Sequence, residues 1–439
     1  MKSFRPLPVA LALCSACAMP VYAQSLVDLY ESARAYDATF QSARSQYEAV
    51  VARAEQSRAG VLPSVNFSIG ASRSAADANL KLPVNYGALA ATVSASQPIY
   101  RPANWLTYEQ GKKSVVSAQA QLVSAEQDLV LKVSQAYFDV LAAQDALTFV
   151  VAQKTAVAEQ LASAKRNFEV GTSTITDTRE AQARYDLVVA QQIAADNDLR
   201  VKKLALDQLV GKTDTVPVTL APPFTLPALL PADVNVWVTQ AIDEHPALRQ
   251  SALALEVAQL ETRKAQAANK PTLDLTGSYT AARNDGTASS FANSHINTAT
   301  VGLSLNWALF AGYAIQNRVK ETLALEDKAR TDLEATQRTV AQNTRTAYFG
   351  VLSGQGQVKA LEAAEASSQS ALDANKLGYQ VGVRINIDVL NAQSQLFQTK
   401  RDLARARYDV LLGGLKLRQA NGTLKPDDLQ AINTLLTTR

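Results

Sequence analysis

The side chains able to do chemistry in this chain are few, and the polar ones gather in one short turn that occurs twice. The first copy runs Phe168, Glu169, Val170, Gly171, Thr172, Ser173, Thr174, Ile175, Thr176, Asp177. The second runs Tyr379, Gln380, Val381, Gly382, Val383, Arg384, Ile385, Asn386, Ile387, Asp388. Hydroxyl, guanidinium and carboxylate groups at such spacing suit charge-assisted hydrogen bonds rather than covalent catalysis. The chain has only two His and two Cys. His245 precedes Pro246 near a helix start and His295 stands at a strand start, without the His–carboxylate spacing of a metal site. No nucleophile–His pairing is evident, so no catalytic residue, metal or cofactor is expected.

Both turns read aromatic-x-Val-Gly, five residues, then Asp. A Gly ends a helix in the left-handed conformation, and a Thr/Asp pair caps the next one. A helical run of more than about sixty residues precedes each turn and one of about thirty-five follows. Each turn is therefore expected to be the tip of a long helical hairpin. N-capping alone would account for Asp177 and Asp388, since they stand at equivalent positions. Arg384 against Ser173, and Tyr379 against Phe168, are asymmetries that capping does not explain.

The 439 residues carry 43 basic and 40 acidic side chains, so no basic field points to nucleic acid. Hydrophobic content is 47%, yet no apolar run long enough for a spanning helix follows the N-terminus. Residues 1–23 read as a secretory signal: Lys2 and Arg5, an apolar stretch from Leu7 to Ala18, and a small-x-small site at Val21 to Ala23. Lipidation at Cys17 is the rival. Cleavage after Ala23 would remove Cys14 and Cys17 together, leaving neither disulfide nor thiolate site.

The chain is a tandem duplication. Ala136-Tyr137-Phe138 matches Ala347-Tyr348-Phe349 at an offset of 211, which also relates Val170-Gly171 to Val381-Gly382 and Gly211 to Gly422. Repeat one is placed at 24–216 and repeat two at 234–439, joined by a Pro-rich linker at 217–233. Leu26 to Gly60 reads as one helix. Period-two alternation places strands at about 63–75 and 87–100, then at about 271–284 and 295–310, with a polar loop from Asn284 to Ser294. From Pro102 to Phe168 apolar residues recur every seven, from Leu122 through Leu129 to Ala164, the sign of a coiled-coil seam. Such a helix is about 100 Å long, too long for a globular core. The second copy keeps Leu333, Val340, Ala347 and Leu361 but has Gly354, Ser368 and Asn375, so a looser seam is expected.

Four amphipathic strands of this length suit an outer-membrane barrel, but four cannot close one; about eight is the practical minimum. Several chains would have to share it. A soluble sheet capping a coiled coil is the other reading of the strand pattern.

In order, duplication and spacing, the chain resembles the TolC family of outer-membrane efflux ducts over nearly its whole mature length. The resemblance rests on Leu26 to Pro63, Ser96 to Tyr100 with Trp105, the two Ala-Tyr-Phe motifs and the two Val-Gly turns. It implies an α+β membrane protein: a tandem-repeat α-helical coiled-coil barrel continuous with a β-barrel that a homotrimer forms jointly, four strands per chain. It implies residence in the outer membrane, in contact with its lipid, with the helices in the periplasm. A periplasmic adaptor and an inner-membrane transporter are the implied partners, in an efflux pump or a type I secretion system. At the tips it implies a gate in which Tyr379 meets Asp177 and Thr176, and Arg384 meets Gln160. Asp388 and Asn391 match the constriction ring; Asn391 in place of an aspartate halves its acidic count and weakens the implied cation block. Val170, Gly171, Val381 and Gly382 match the adaptor-contacting tips. A periplasmic coiled-coil adaptor would need one hairpin between split β-rich segments, whereas this chain has two hairpins.

Overall fold

A computed structural model describes residues 24–76, 84–221, 226–287 and 290–436. The expected signal segment with Cys14 and Cys17 lies outside these, as do Pro222 and Pro223 of the linker. The chain divides into two compact units. One comprises the described parts of Met1–Gln41, Ala125–Asp243 and Ala341–Arg439, the other Ser42–Ser124 and Glu244–Val340.

The second unit contains the sheet. Strands β1 (Ser64–Ala76), β2 (Val84–Tyr100), β3 (Thr272–Thr287) and β4 (Ser290–Asn306) pair antiparallel in the order β1-β2-β3-β4. The register brings Phe67, Val93, Tyr279 and Ala299 onto one level, with Ile69, Val65, Leu275, Val301, Leu303 and Leu305 on the same face. Those side chains are exposed; Val301 is 81% accessible. The opposite face carries Ser68, Thr92 and Thr280, where the two threonine hydroxyls meet at 3.0 Å. At their hairpin ends the strands run further than expected, while β4 stops at Asn306, short of 310. Asn85 and most of the Asn284 to Ser294 stretch continue the ladder, because polar residues at the hairpin ends still pair through their backbones.

The other unit is helical, and helices also make up the rest of the second. Leu26 to Gly60 is not one helix: α1 (Leu26–Tyr36) stops at Asp37 and α2 (Ala38–Arg58) begins. The Asp37 carboxylate accepts from the Phe40 N–H at 2.9 Å and from Lys132 Nζ at 2.8 Å, a local bond that competes with the helix. In repeat two α5 (Val234–Glu244) and α6 (Pro246–Ala267) break at His245, whose Nδ1 accepts from the Ala247 N–H at 3.1 Å. The long helix α3 (Pro102–Glu169) is followed by α4 (Ile175–Val210), and α7 (Ala314–Gln380) by α8 (Asn386–Ala420); a short α9 (Asp428–Asn433) comes last.

The expected seam of α3 is buried at Leu129, Val150, Val157 and Ala164, and its second stripe at Val133, Val140 and Leu161; Phe168 is exposed at the tip. In α7 the deeper seam is the counterpart of the second stripe, through Thr344, Val351, Val358 and Leu372. Gly354 does not loosen it. A Cβ there would lie 2.9 Å from Val410 Cγ2, so the glycine lets α8 come close. The linker is held from both repeats: the Tyr137 hydroxyl donates to the Val218 carbonyl at 2.8 Å, and that of Tyr348, its repeat counterpart, to the Ala232 carbonyl.

Candidate functional site

The two turns are the tips of the hairpins, and both lie in the helical unit. Each Gly takes a left-handed backbone, with φ of +78° at Gly171 and +81° at Gly382, and the turn closes beneath it. The Thr172 N–H donates to the Asn167 carbonyl at 2.8 Å; in the second copy the Val383 N–H donates to the Gly378 carbonyl at 2.9 Å. Val170, Val381 and Val383 crown the tips, each at least 65% accessible.

The capping roles of the two aspartates differ. Thr174 and Asp177 form a reciprocal capping box on α4, and the Ser173 hydroxyl adds a third donor to the carboxylate at 2.8 Å. Burial works to raise the Asp177 carboxyl, but these hydrogen bonds outweigh it and hold it below the ordinary carboxylate range. At the start of α8 the residue in Thr174's place is Ile385, which has no side chain to cap with. Asp388 instead stands 3.7 Å from the Arg384 guanidinium. Capping therefore explains Asp177 and not Asp388.

At the tips, side-chain hydrogen bonds join the first hairpin to the second. Asn167 Nδ2 donates to the Tyr379 hydroxyl at 3.2 Å. Gln160 Nε2 donates to Asn386 Oδ1, and Asn386 Nδ2 to the Asp177 backbone carbonyl at 3.3 Å. Asn386 is almost fully buried, so both its polar ends are satisfied by the other hairpin. Lower down, Arg184 Nη2 donates to Asn391 Oδ1 at 2.8 Å.

All the gate residues implied by the sequence thus sit at the tips, with different partners inside one chain. Tyr379 meets Asn167 rather than Asp177 or Thr176; Thr176 is exposed on the first turn of α4. Gln160 meets Asn386 rather than Arg384. The physical reason is competition: the capping box already occupies Asp177, and Arg384 lies over Gly378. A Cβ at Gly378 would stand 2.6 Å from Arg384 Cγ, so only glycine admits that placement.

Asn167, Gly378, Asn386 and Arg184 were not singled out from the sequence. The signal was present in the repeat comparison, since Asn167 and Gly378 occupy the same position in the two copies, and Asn386 replaces Ile175. Among the described residues no cluster of His, Cys, Asp or Glu could hold a metal ion.

Residues 29–212 and 237–423 match the outer membrane efflux protein family. The outer membrane protein TolC of Vibrio cholerae is 31% identical over 434 residues, covering 99% of this chain and 98% of that protein. The alkaline protease secretion protein AprF of Pseudomonas aeruginosa is 30% identical, covering 94% and 87%. Among solved structures, CusC superposes with a TM-score of 0.81 at 18% identity, covering 92% of this chain and 93% of the other. The outer membrane protein VceC from Vibrio cholerae gives 0.77 at 19%, covering 90% and 96%. The chain belongs to the outer membrane efflux protein family. It is an outer-membrane exit duct of an efflux or secretion system, and its relatives are channel and secretion proteins rather than enzymes.

Proposed function

We propose that three copies of this chain pool their strands into one barrel, and that the hairpin tips close the periplasmic end of the resulting passive duct. The observation that supports this most directly is the open sheet. Its described strands pair in the order β1-β2-β3-β4, leaving β1 and β4 each with one unpaired edge, and much of one face is exposed and apolar. In hydrocarbon each unpaired backbone group costs several kcal/mol, so the edges call for neighbouring copies. Twelve strands from a trimer exceed the practical minimum of about eight.

The gate is read from the tips. Tyr379, Gln160, Asn391 and their observed partners fasten the two hairpins of one chain together. Arg384, with an exposed guanidinium and only a long contact to Asp388, is available to bind a neighbouring copy. Asp388 and Asn391 then belong to the constriction. Val170, Gly171, Val381 and Gly382 present the apolar contact for a periplasmic adaptor, which with an inner-membrane transporter would open the tips. Breaking these hydrogen bonds, each worth about 0.5–1.5 kcal/mol between neutral groups and about 1.5–3 kcal/mol for Arg184 to Asn391, lies within the reach of such docking. The name of the relative AprF, an alkaline protease secretion protein, favours a polypeptide cargo.

Single-channel recording in a planar bilayer tests the proposal, with trimer mass measured in detergent. A small steady conductance from a heat-resistant trimer supports it. A folded monomer without conductance would overturn it.

A further inference from the structure

The apolar face of the sheet ends in charge at its hairpin end. In register, Arg73 lies opposite Gly87, and Arg283 lies between Leu89 and His295. All belong to the same face as Phe67, Ile69, Val93 and Tyr279, because side chains alternate and these positions are separated by even steps. Arg73, Arg283 and His295 are exposed. Gly87 leaves an opening among them: a recess of about 500 Å³ lined by Arg73, Gly87, Leu89, Arg283 and Asp285. A Cβ at Gly87 would come into contact with Asp285 Oδ2 at 3.4 Å, so a side chain there would take up part of the floor. Asp285 is the one carboxylate lining it, 3.6 Å from Arg283 Nε.

We propose that this recess binds the phosphate of a lipid headgroup in the leaflet at the hairpin end of the barrel. A guanidinium on a lipid-facing surface is costly at mid-depth but favourable at the headgroup level, where phosphates lie. Two guanidinium forks flanking a glycine floor match a phosphate bidentately. The acyl chains of the same lipid would run along Leu89, Phe67 and Val93, which continue the face below the recess. Apolar track and cationic head together select a phosphorylated lipid over a free anion. The site lies on β1, β2 and β3 of one chain, so a single copy supplies all of its residues.

The test uses the detergent-solubilised full-length protein and native mass spectrometry, with diphosphoryl lipid A as probe beside its dephosphorylated form and inorganic phosphate. The phosphorylated lipid should bind, and the Arg73→Gln/Arg283→Gln double variant should lose affinity by about tenfold or more. Asp285→Asn should bind several-fold more tightly, a gain that misfolding would not produce. Bilayer conductance of each variant separates loss of this site from loss of the duct. Equal binding of the dephosphorylated lipid, or unchanged affinity in the double variant, would overturn the proposal. Full displacement by millimolar inorganic phosphate would also overturn it, leaving a simple anion site.

Discussion

Asn167 Nδ2 donates to the Tyr379 hydroxyl across 3.2 Å, and the residue in Asn167's place in the second repeat is Gly378, beneath Arg384. One duplicated position thus supplies a donor in one copy and, in the other, a bare backbone that Arg384 lies against. Removing either end of the contact should loosen closure without harming the fold. Tyr379→Phe keeps the ring and deletes the hydroxyl; its channel should conduct more than the wild type, and Asn167→Ala should match it. If the double variant opens no further than either single one, the two residues act through this bond.

Arg384→Ala should raise single-channel conductance, as the exposed guanidinium makes only a long contact, 3.7 Å, to Asp388 within its own chain. An unchanged conductance would reduce Arg384 to a solvated tip residue.

Ile385→Thr gives α8 the cap that α4 already has. The new hydroxyl and N–H would draw Asp388 into a capping box, stabilising the helix start by about 1 kcal/mol. It would also take Asp388 away from Arg384. We expect slower amide exchange at 386–389 together with an altered conductance. Thr174→Ala should do the reverse at α4, costing about 1 kcal/mol and freeing Asp177.

Asn386→Ala leaves Gln160 and the Asp177 carbonyl without their shared partner in a nearly dry site. The cost should be about 1–3 kcal/mol, seen as a lower thermal midpoint and faster proteolysis at the tips.

Glu261 provides a pH test away from the tips. Its carboxyl is lowered from an ordinary 4.5 to about 2: Gln110 is the foremost cause, burial opposes it, and Lys264 and Arg318 reinforce it. Because the folded value is depressed, the stability it contributes is complete above about pH 4.5 and drains as pH falls toward 2. Glu261→Gln should therefore lower the thermal midpoint at neutral pH, and the gap should close in that acid window. With the carboxylate more than a quarter exposed, solvent screens part of the effect.

Periodicity made the hairpins, the strands and the duplication legible, because each rests on a pattern repeated many times along the chain. Phase errors came where one residue decides. Asp37 breaks a helix whose composition favours continuity, through a local bond to the Phe40 N–H and a long-range one to Lys132 that no window of residues reveals. Gly354 reads as a gap in a seam, yet it is a point of close approach to Val410. At the tips the residues were legible and their partners within the chain were not, since pairing depends on which of several polar groups the capping box occupies first. Asn386 was passed over because a buried amide looks, in sequence, like any other polar residue near a helix start.

Tyr137 and Tyr348 hold the linker at Val218 and Ala232, one anchor on either side of its middle. Because each half of the duplication keeps its own grip, covalent continuity between the halves is not what keeps that segment in place. A chain severed between 218 and 232 should reassemble from two separately encoded fragments. An ancestor encoding a single repeat would then have needed no tether at all to pair with a second copy of itself.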